Sequence, residues 1–230
     1  MVSTGQAAGM LEENATPTLI GEAYGIKSKQ LQYREFHYYS RSGEEHRVVY
    51  KDPDDQVIAE KTLRYTDALS EPAVEQKNTL CGEYIKVNQF ENGDRLRIVY
   101  RSEKGKRTRE KAINRPDNLV IDAGFNFHVR TKWDELVAGK TVKFNYLAPS
   151  RSRTYAFKAE ATECQREGEV NCFAIAPDVW YLNIALDPIL LTYSADSHEL
   201  LAFSGLGNIA DKNCDYMAVD IQYRYPKQTL

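Results

Sequence analysis

From Thr18 onward, runs of Tyr, Val, Ile and Phe alternate with polar residues and stop at Gly, Pro, Asn or Asp clusters about every ten residues. Alternation with a period of two places one set of side chains on a core and the other in solvent, so the pattern predicts half-buried strands. They fall near 18 to 26, 31 to 40, 45 to 51, 56 to 66, 73 to 80, 83 to 90 and 95 to 101. Ser42-Gly43, Asp52-Pro53-Asp54-Asp55 and Asn92-Gly93 supply the turn chemistry between them.

The period changes between Asp122 and Gly139, where Phe125, Val129, Trp133 and Leu136 recur at spacings of four, four and three. That spacing predicts one helix over about 122 to 139, with Asp122 as N-cap and Gly139 just past its C-terminus. Such a helix is expected to pack across a sheet face or plug a barrel mouth. Strands resume near 141 to 148, 153 to 164, 170 to 176, 189 to 194, 199 to 205 and 215 to 225. Pro177 to Pro188 reads equally as a strand or a short buried helical turn. The predicted fold is mostly β, a curved antiparallel sheet or incomplete β-barrel with one prominent helix. It comprises a flexible segment at 1–17 and a single β-rich domain over 18–230.

The chain has 230 residues, a net charge of −3 and 42% hydrophobic positions, and no apolar run reaches the roughly 18 to 20 residues of a spanning helix. Neither nucleic-acid binding nor a membrane span is expected from this composition. The start of the chain lacks the basic and apolar stretches of a secretory leader. Fifteen tyrosines are accounted for by strand propensity, though they also suit an amphipathic cleft.

The four cysteines have no C-x-x-C spacing, so no metal site and no cofactor are expected. Cys164 and Cys172 sit symmetrically about Gly168, as opposed positions of a hairpin would. They are read either as a disulfide or as two half-buried thiols.

Several motifs carry residue types suited to chemistry. Gly205-Leu206-Gly207-Asn208-Ile209-Ala210 fits a dinucleotide fingerprint but lacks room for the βαβ unit that gives it meaning, so it reads as a β connection. Ser194, Asp196 and His198 fall at one polar bend, which is not triad geometry. Glu35 and His37, two apart on a predicted strand, share a face with Tyr33 and Tyr39. A carboxylate beside an imidazole is either an acid-base pair or an exposed surface pair. The run Arg101 to Lys111 holds six basic residues against two acidic and reads as a solvated hairpin tip, with Arg151 and Arg153 adding further positive charge.

Taken together, YREFHYYSRSGEEHRVVYKDPDDQVIAEKTLRY, VIDAGFNFHVRTKWDELVAGKTVKFNYLAPSR and LTYSADSHELLAFSGLGNIADKN resemble a proteobacterial family of β-rich, usually exported proteins of unknown function. Asp122 to Phe125, Trp133 to Leu136 and Pro149 to Arg151 are its more distinctive blocks. The plan is also similar to half-open barrels that carry lipids or lipoproteins across the periplasm. That likeness implies a periplasmic or envelope protein, with a cytoplasmic location as the alternative.

The leading expectation is a non-enzymatic protein holding an amphipathic or lipid-like ligand against Tyr33, Tyr39, Phe125, Trp133, Arg151 and Trp180. The alternatives are a hydrolase of an envelope glycan using Glu35, His37 and Asp122, and a scaffold that pairs a partner along an exposed sheet edge.

Overall fold

Alternation along the chain becomes a single sheet. The computed structural model describes residues 16–66, 68–178 and 187–226. Trp180, most of the 177 to 188 stretch and all but the end of the predicted N-terminal segment lie outside the described residues.

The first half is a run of antiparallel hairpins, β1 (Leu19–Gly25), β2 (Leu31–Tyr39), β3 (Glu45–Lys51), β4 (Val57–Arg64), β5 (Ala73–Asn78), β6 (Tyr84–Phe90), β7 (Arg95–Arg101) and β8 (Arg109–Asn114). A short β9 (Leu119–Val120) then leads into α1 (Gly124–Thr131) and α2 (Trp133–Val137). The second half comprises β10 (Val142–Ala148), β11 (Arg153–Thr162), β12 (Val170–Pro177), β13 (Ile189–Ser194), β14 (Leu200–Ala210) and β15 (Tyr216–Arg224).

Strand order is β8-β7-β6-β5-β4-β3-β2-β1-β15-β14-β13-β12-β11-β10-β9, and all neighbours are antiparallel except β9 with β10. The first and last strands therefore meet at the centre, with Ala23 opposite Ile221. β8 and β9 are the two edges and do not pair with each other, so the curved sheet is not a closed barrel.

The sheet curls far enough for its two halves to touch. Gln76 and Asn78 of β5 donate side-chain hydrogen bonds to the Asn208 and Ala210 carbonyls of β14, at 3.0 and 2.7 Å. The hydroxyls of Tyr100 and Tyr216 both donate to Glu83 across the same interior. A disulfide between Cys81 and Cys214 staples the β5–β6 turn to the β14–β15 turn. A second disulfide joins Cys164 to Cys172 about a turn in which Gly168 holds a φ of +118°.

The predicted helix is present but divided. At Lys132 the backbone N–H is shared between the His128 and Val129 carbonyls, both at 3.1 Å, which tightens the turn and separates α1 from α2. Because the break conserves the spacing, the apolar stripe survives, with Val129 and Leu136 at 0% exposure. Gly139 follows α2 with a φ of +77°, as its role past the C-terminus requires. Asp122 is not the N-cap; Ala123 occupies that position and Asp122 precedes it in the left-handed region at φ +47°.

Aromatic contacts reach from α1 to both halves of the sheet: Phe127 to Tyr65, His128 to Phe144 and Phe125 to Phe203. The helix lies across the mouth of the curved sheet. Gly124 allows its approach, since a Cβ there would stand 2.1 Å from the Ser70 carbonyl oxygen.

β9 (Leu119–Val120) is not among the expected strands, and two further segments depart from expectation. The charged run beyond Arg101 does turn at Gly105, but its end continues as β8, almost wholly exposed. Gly205 to Ala210 lies inside β14, which runs five residues beyond the predicted end at 205.

Chain-entropy reasoning makes the long-range staple the stronger one. Its sequence separation is 133 against 8 for the hairpin. Replacing Cys81 and Cys214 by Ala is expected to cost about 5 kcal/mol, and replacing Cys164 and Cys172 about 2.5 kcal/mol. Urea midpoints of the two double variants, measured beside the oxidised parent, check the order.

Candidate functional site

Tyr33, Glu35, His37 and Tyr39 project from one face of β2, and that face turns inward. Glu35 is 3% and His37 9% exposed. The surface-pair reading is therefore overturned: the intervening Arg34, Phe36 and Tyr38 occupy the other face of β2.

Strand register builds the rest of the cluster. Tyr39 stands opposite His46 and Glu35 opposite Tyr50 on β3, while Gly21 of β1 lies between Glu35 on one side and Tyr223 of β15 on the other. A Cβ on Gly21 would come within 2.8 Å of the Tyr223 ring, so the glycine opens the gap through which that phenol reaches Glu35.

The result is a continuous buried chain. The Tyr223 hydroxyl donates to Glu35 Oε2 at 3.2 Å, and the same oxygen faces His37 Nε2 at 3.2 Å. His37 Nδ1 lies 2.9 Å from His46 Nε2, and His46 Nδ1 lies 3.5 Å from the Tyr65 hydroxyl. One assignment of protons satisfies every step: Tyr65 donates to His46, His46 to His37, and His37 to the carboxylate.

Burial, assisted by the fields of His37 and Lys61, holds the His46 imidazole well below its ordinary pKa. Burial also pushes the phenols of Tyr65 and Tyr223 up, so both ends of the chain are neutral donors at neutral pH. The arrangement orients one N–H of each imidazole along the chain toward Glu35 and keeps both phenols protonated.

Asp122 joins this interior by another route. Lys61 on β4, 1% exposed, places its ammonium 2.8 and 2.9 Å from the two Asp122 oxygens. Asp122 also accepts the Ala123 N–H at 2.7 Å, which fixes the chain as it enters α1. The carboxylate is thus committed to a buried ammonium and a backbone amide. It makes no direct hydrogen bond to Glu35 or His37.

The other sequence-derived positions separate. Tyr33 is fully buried, and its hydroxyl has no hydrogen-bond partner among the described residues. Phe125 packs on Phe203, while Trp133 packs on Phe173 and Tyr193 and stacks on His198 at 3.8 Å. These two rings fill core volume. Arg151 lies elsewhere, in a 3-10 turn (Pro149–Arg151) against β7. Tyr39 remains 36% exposed at the mouth, stacked on His46 at 4.0 Å.

His46, Tyr65, Lys61 and Tyr223 were not singled out from the sequence. The alternation HRVVYK does place His46 in phase with Tyr50, and the strand pattern places Lys61 in phase with Leu63, so their inward direction was readable. Their partners depend on register, which the pattern alone leaves open.

Beside the outer end of the chain, Leu69, Ser70, Phe127, His128 and Thr131 line a cleft of about 250 Å³. Burial lowers the pKa of His128. Among the described residues no group of three or more His, Cys, Asp or Glu side chains is arranged to hold a metal ion. No family model matches this chain, and none of the curated proteins compared with it matches.

Two outcomes are expected. Asp122→Asn leaves the Lys61 ammonium buried without a counter-charge and should cost about 3 to 5 kcal/mol in a denaturant titration. His46 and His128 have folded pKa values below their unfolded ones, so acidification below about pH 6.5 protonates the unfolded chain first and stability falls. The slope reaches at most about 1.4 kcal/mol per pH unit for each histidine. Urea midpoints between pH 7.5 and 5 should decline less steeply in His46→Gln than in the parent.

Proposed function

We propose that this is a non-enzymatic protein of the bacterial envelope that binds an amphipathic ligand with an anionic head, at the mouth covered by α1. One observation carries the reading: Leu69 and Phe127 line a cleft beside α1, and α1 also carries the exposed cation Arg130. Leu69, Tyr39 and Tyr225 are 46%, 36% and 38% exposed, and Phe127 lines the cleft. Partial burial raises the pKa of the Tyr39 and Tyr225 phenols, and in each case the Arg130 charge opposes the rise.

The ligand sits at this rim, because Tyr33, Phe125 and Trp133 occupy the interior. The guanidinium supplies charge-assisted hydrogen bonds to a phosphate or carboxylate head, and the cleft takes the first part of an acyl chain. The disulfides Cys81–Cys214 and Cys164–Cys172 support an oxidising compartment such as the periplasm.

A second reading is acid-base hydrolysis, and the oriented Tyr65–His46–His37–Glu35 chain favours it. Its weakness is access: His46 is 3% exposed.

Native mass spectrometry with single-chain lysophosphatidylglycerol separates the two. Saturable binding is expected, weakened roughly tenfold by Arg130→Glu and weaker for the neutral-headed phosphatidylcholine analogue. Absence of binding, or binding indifferent to Arg130→Glu, overturns the ligand reading. Turnover of glycan or ester substrates that is lost in Glu35→Gln would establish the enzymatic one.

A further inference from the structure

Among the described residues, one edge of the sheet has no further strand paired along it. β8 pairs only with β7, from Arg95 opposite Asn114 to Tyr100 opposite Arg109. The Arg115 N–H bonds the Asp94 carbonyl at 2.9 Å, which fixes the phase of the ladder. Antiparallel alternation then turns the backbone N–H and C=O of Glu110, Ala112 and Asn114 away from β7. Among the described residues none of these groups makes a backbone hydrogen bond elsewhere.

Side chains give the edge its sign. Arg109 and Lys111 lie in phase with Tyr100 and Ile98 on the concave side, and Glu110, the one acid of β8, is held by Arg97 at 3.3 Å. The second half of the chain adds to the charge. Arg109 donates to the Ser150 carbonyl at 3.2 Å, and Arg109 and Arg151 both act on the Tyr100 phenol. The basic residues at 101 to 111 and at 151, far apart in sequence, therefore share one seam.

From this geometry we infer that β8 is a docking edge for an extended, acidic segment of a partner protein, which adds as a further strand. Three outward backbone pairs supply the ladder, and only a peptide backbone complements them in register. Arg109 and Lys111 supply the preference for Glu or Asp at alternate positions of the incoming strand. The same charges repel a second copy of β8, so the edge resists self-association while remaining open to an acidic strand. This edge uses none of the residues that line the cleft at the α1 mouth and does not depend on the ligand proposed there.

The probe is a fluorescein-labelled peptide of alternating Glu and Val, followed by fluorescence anisotropy on the full chain. Binding is expected, and it should fall roughly tenfold when alternate backbone amides of the peptide are N-methylated, which removes ladder hydrogen bonds without altering charge. Lys111→Glu should weaken binding by a similar factor, and an alternating Lys and Val peptide should not bind. Ala112→Pro removes an outward N–H only and should abolish binding while leaving the β7–β8 ladder in place. If the N-methylated peptide binds as well as its parent, the contact is a charge patch and strand addition is overturned. If no acidic peptide binds, the docking edge itself is overturned.

Discussion

A buried ammonium is the constraint around which this interior is arranged. Lys61 points into the concave side of the sheet, where an unpaired charge would be costly to desolvate, and the carboxylate that neutralises it belongs to Asp122. Meeting Lys61 fixes the point at which the chain leaves β9, and that point fixes the start of α1. Asp122 takes a left-handed backbone to make the contact, and Gly124 then passes against the Ser70 carbonyl. The position of the helix is thus held both by the Lys61–Asp122 pair at its start and by its buried apolar stripe.

The same logic explains why so many polar groups are tolerated inside. Glu83 receives two tyrosines, and Glu35 receives a tyrosine and a histidine. Near the seam, Glu71, 5% exposed, is bound by Arg115 through two oxygens at 2.5 and 2.6 Å. Glu35 and Glu71 have donors directed at them, whereas at Glu83 burial still raises the carboxyl pKa against its two tyrosine donors, and its Oε2 has no hydrogen-bond partner among the described residues. A sheet built this way holds its curl by specific pairings as well as by apolar area.

Much of the fold was legible because strands with one wet face announce themselves by alternation. β2 and β3 fall within a residue of their expected limits, and the Phe125–Leu136 stripe marked the helical segment. The clearest failures have physical causes. β8 was hidden because an exposed edge carries the charged composition of a loop. The break at Lys132 was hidden because it leaves the stripe intact. The site was half legible: period two put Glu35 and His37 on one face, but whether that face looked in or out depended on register with β1 and β3. Pairing of Cys164 with Cys172 was one of two readings of their spacing about Gly168, and the bond forms although Cys172 stands opposite Thr162 in the ladder, not opposite Cys164. Pairing of Cys81 with Cys214 could not be read, because it joins the two halves of the curled sheet.

The pairing of β1 with β15 also bears on the order in which structure can accumulate. The earliest strand of the sheet finds one of its two neighbours only when the latest has been made. Up to that moment two separate meanders, β1 to β8 and β10 to β15, each rest on local hairpins, and β1 presents an open flank at what will be the centre. Contacts spanning most of the chain are slow to form, since the loop they close is long. Docking of the two flanks therefore closes the longest loop of the sheet, and a nascent chain held short of β15 would lack one partner of its central strand.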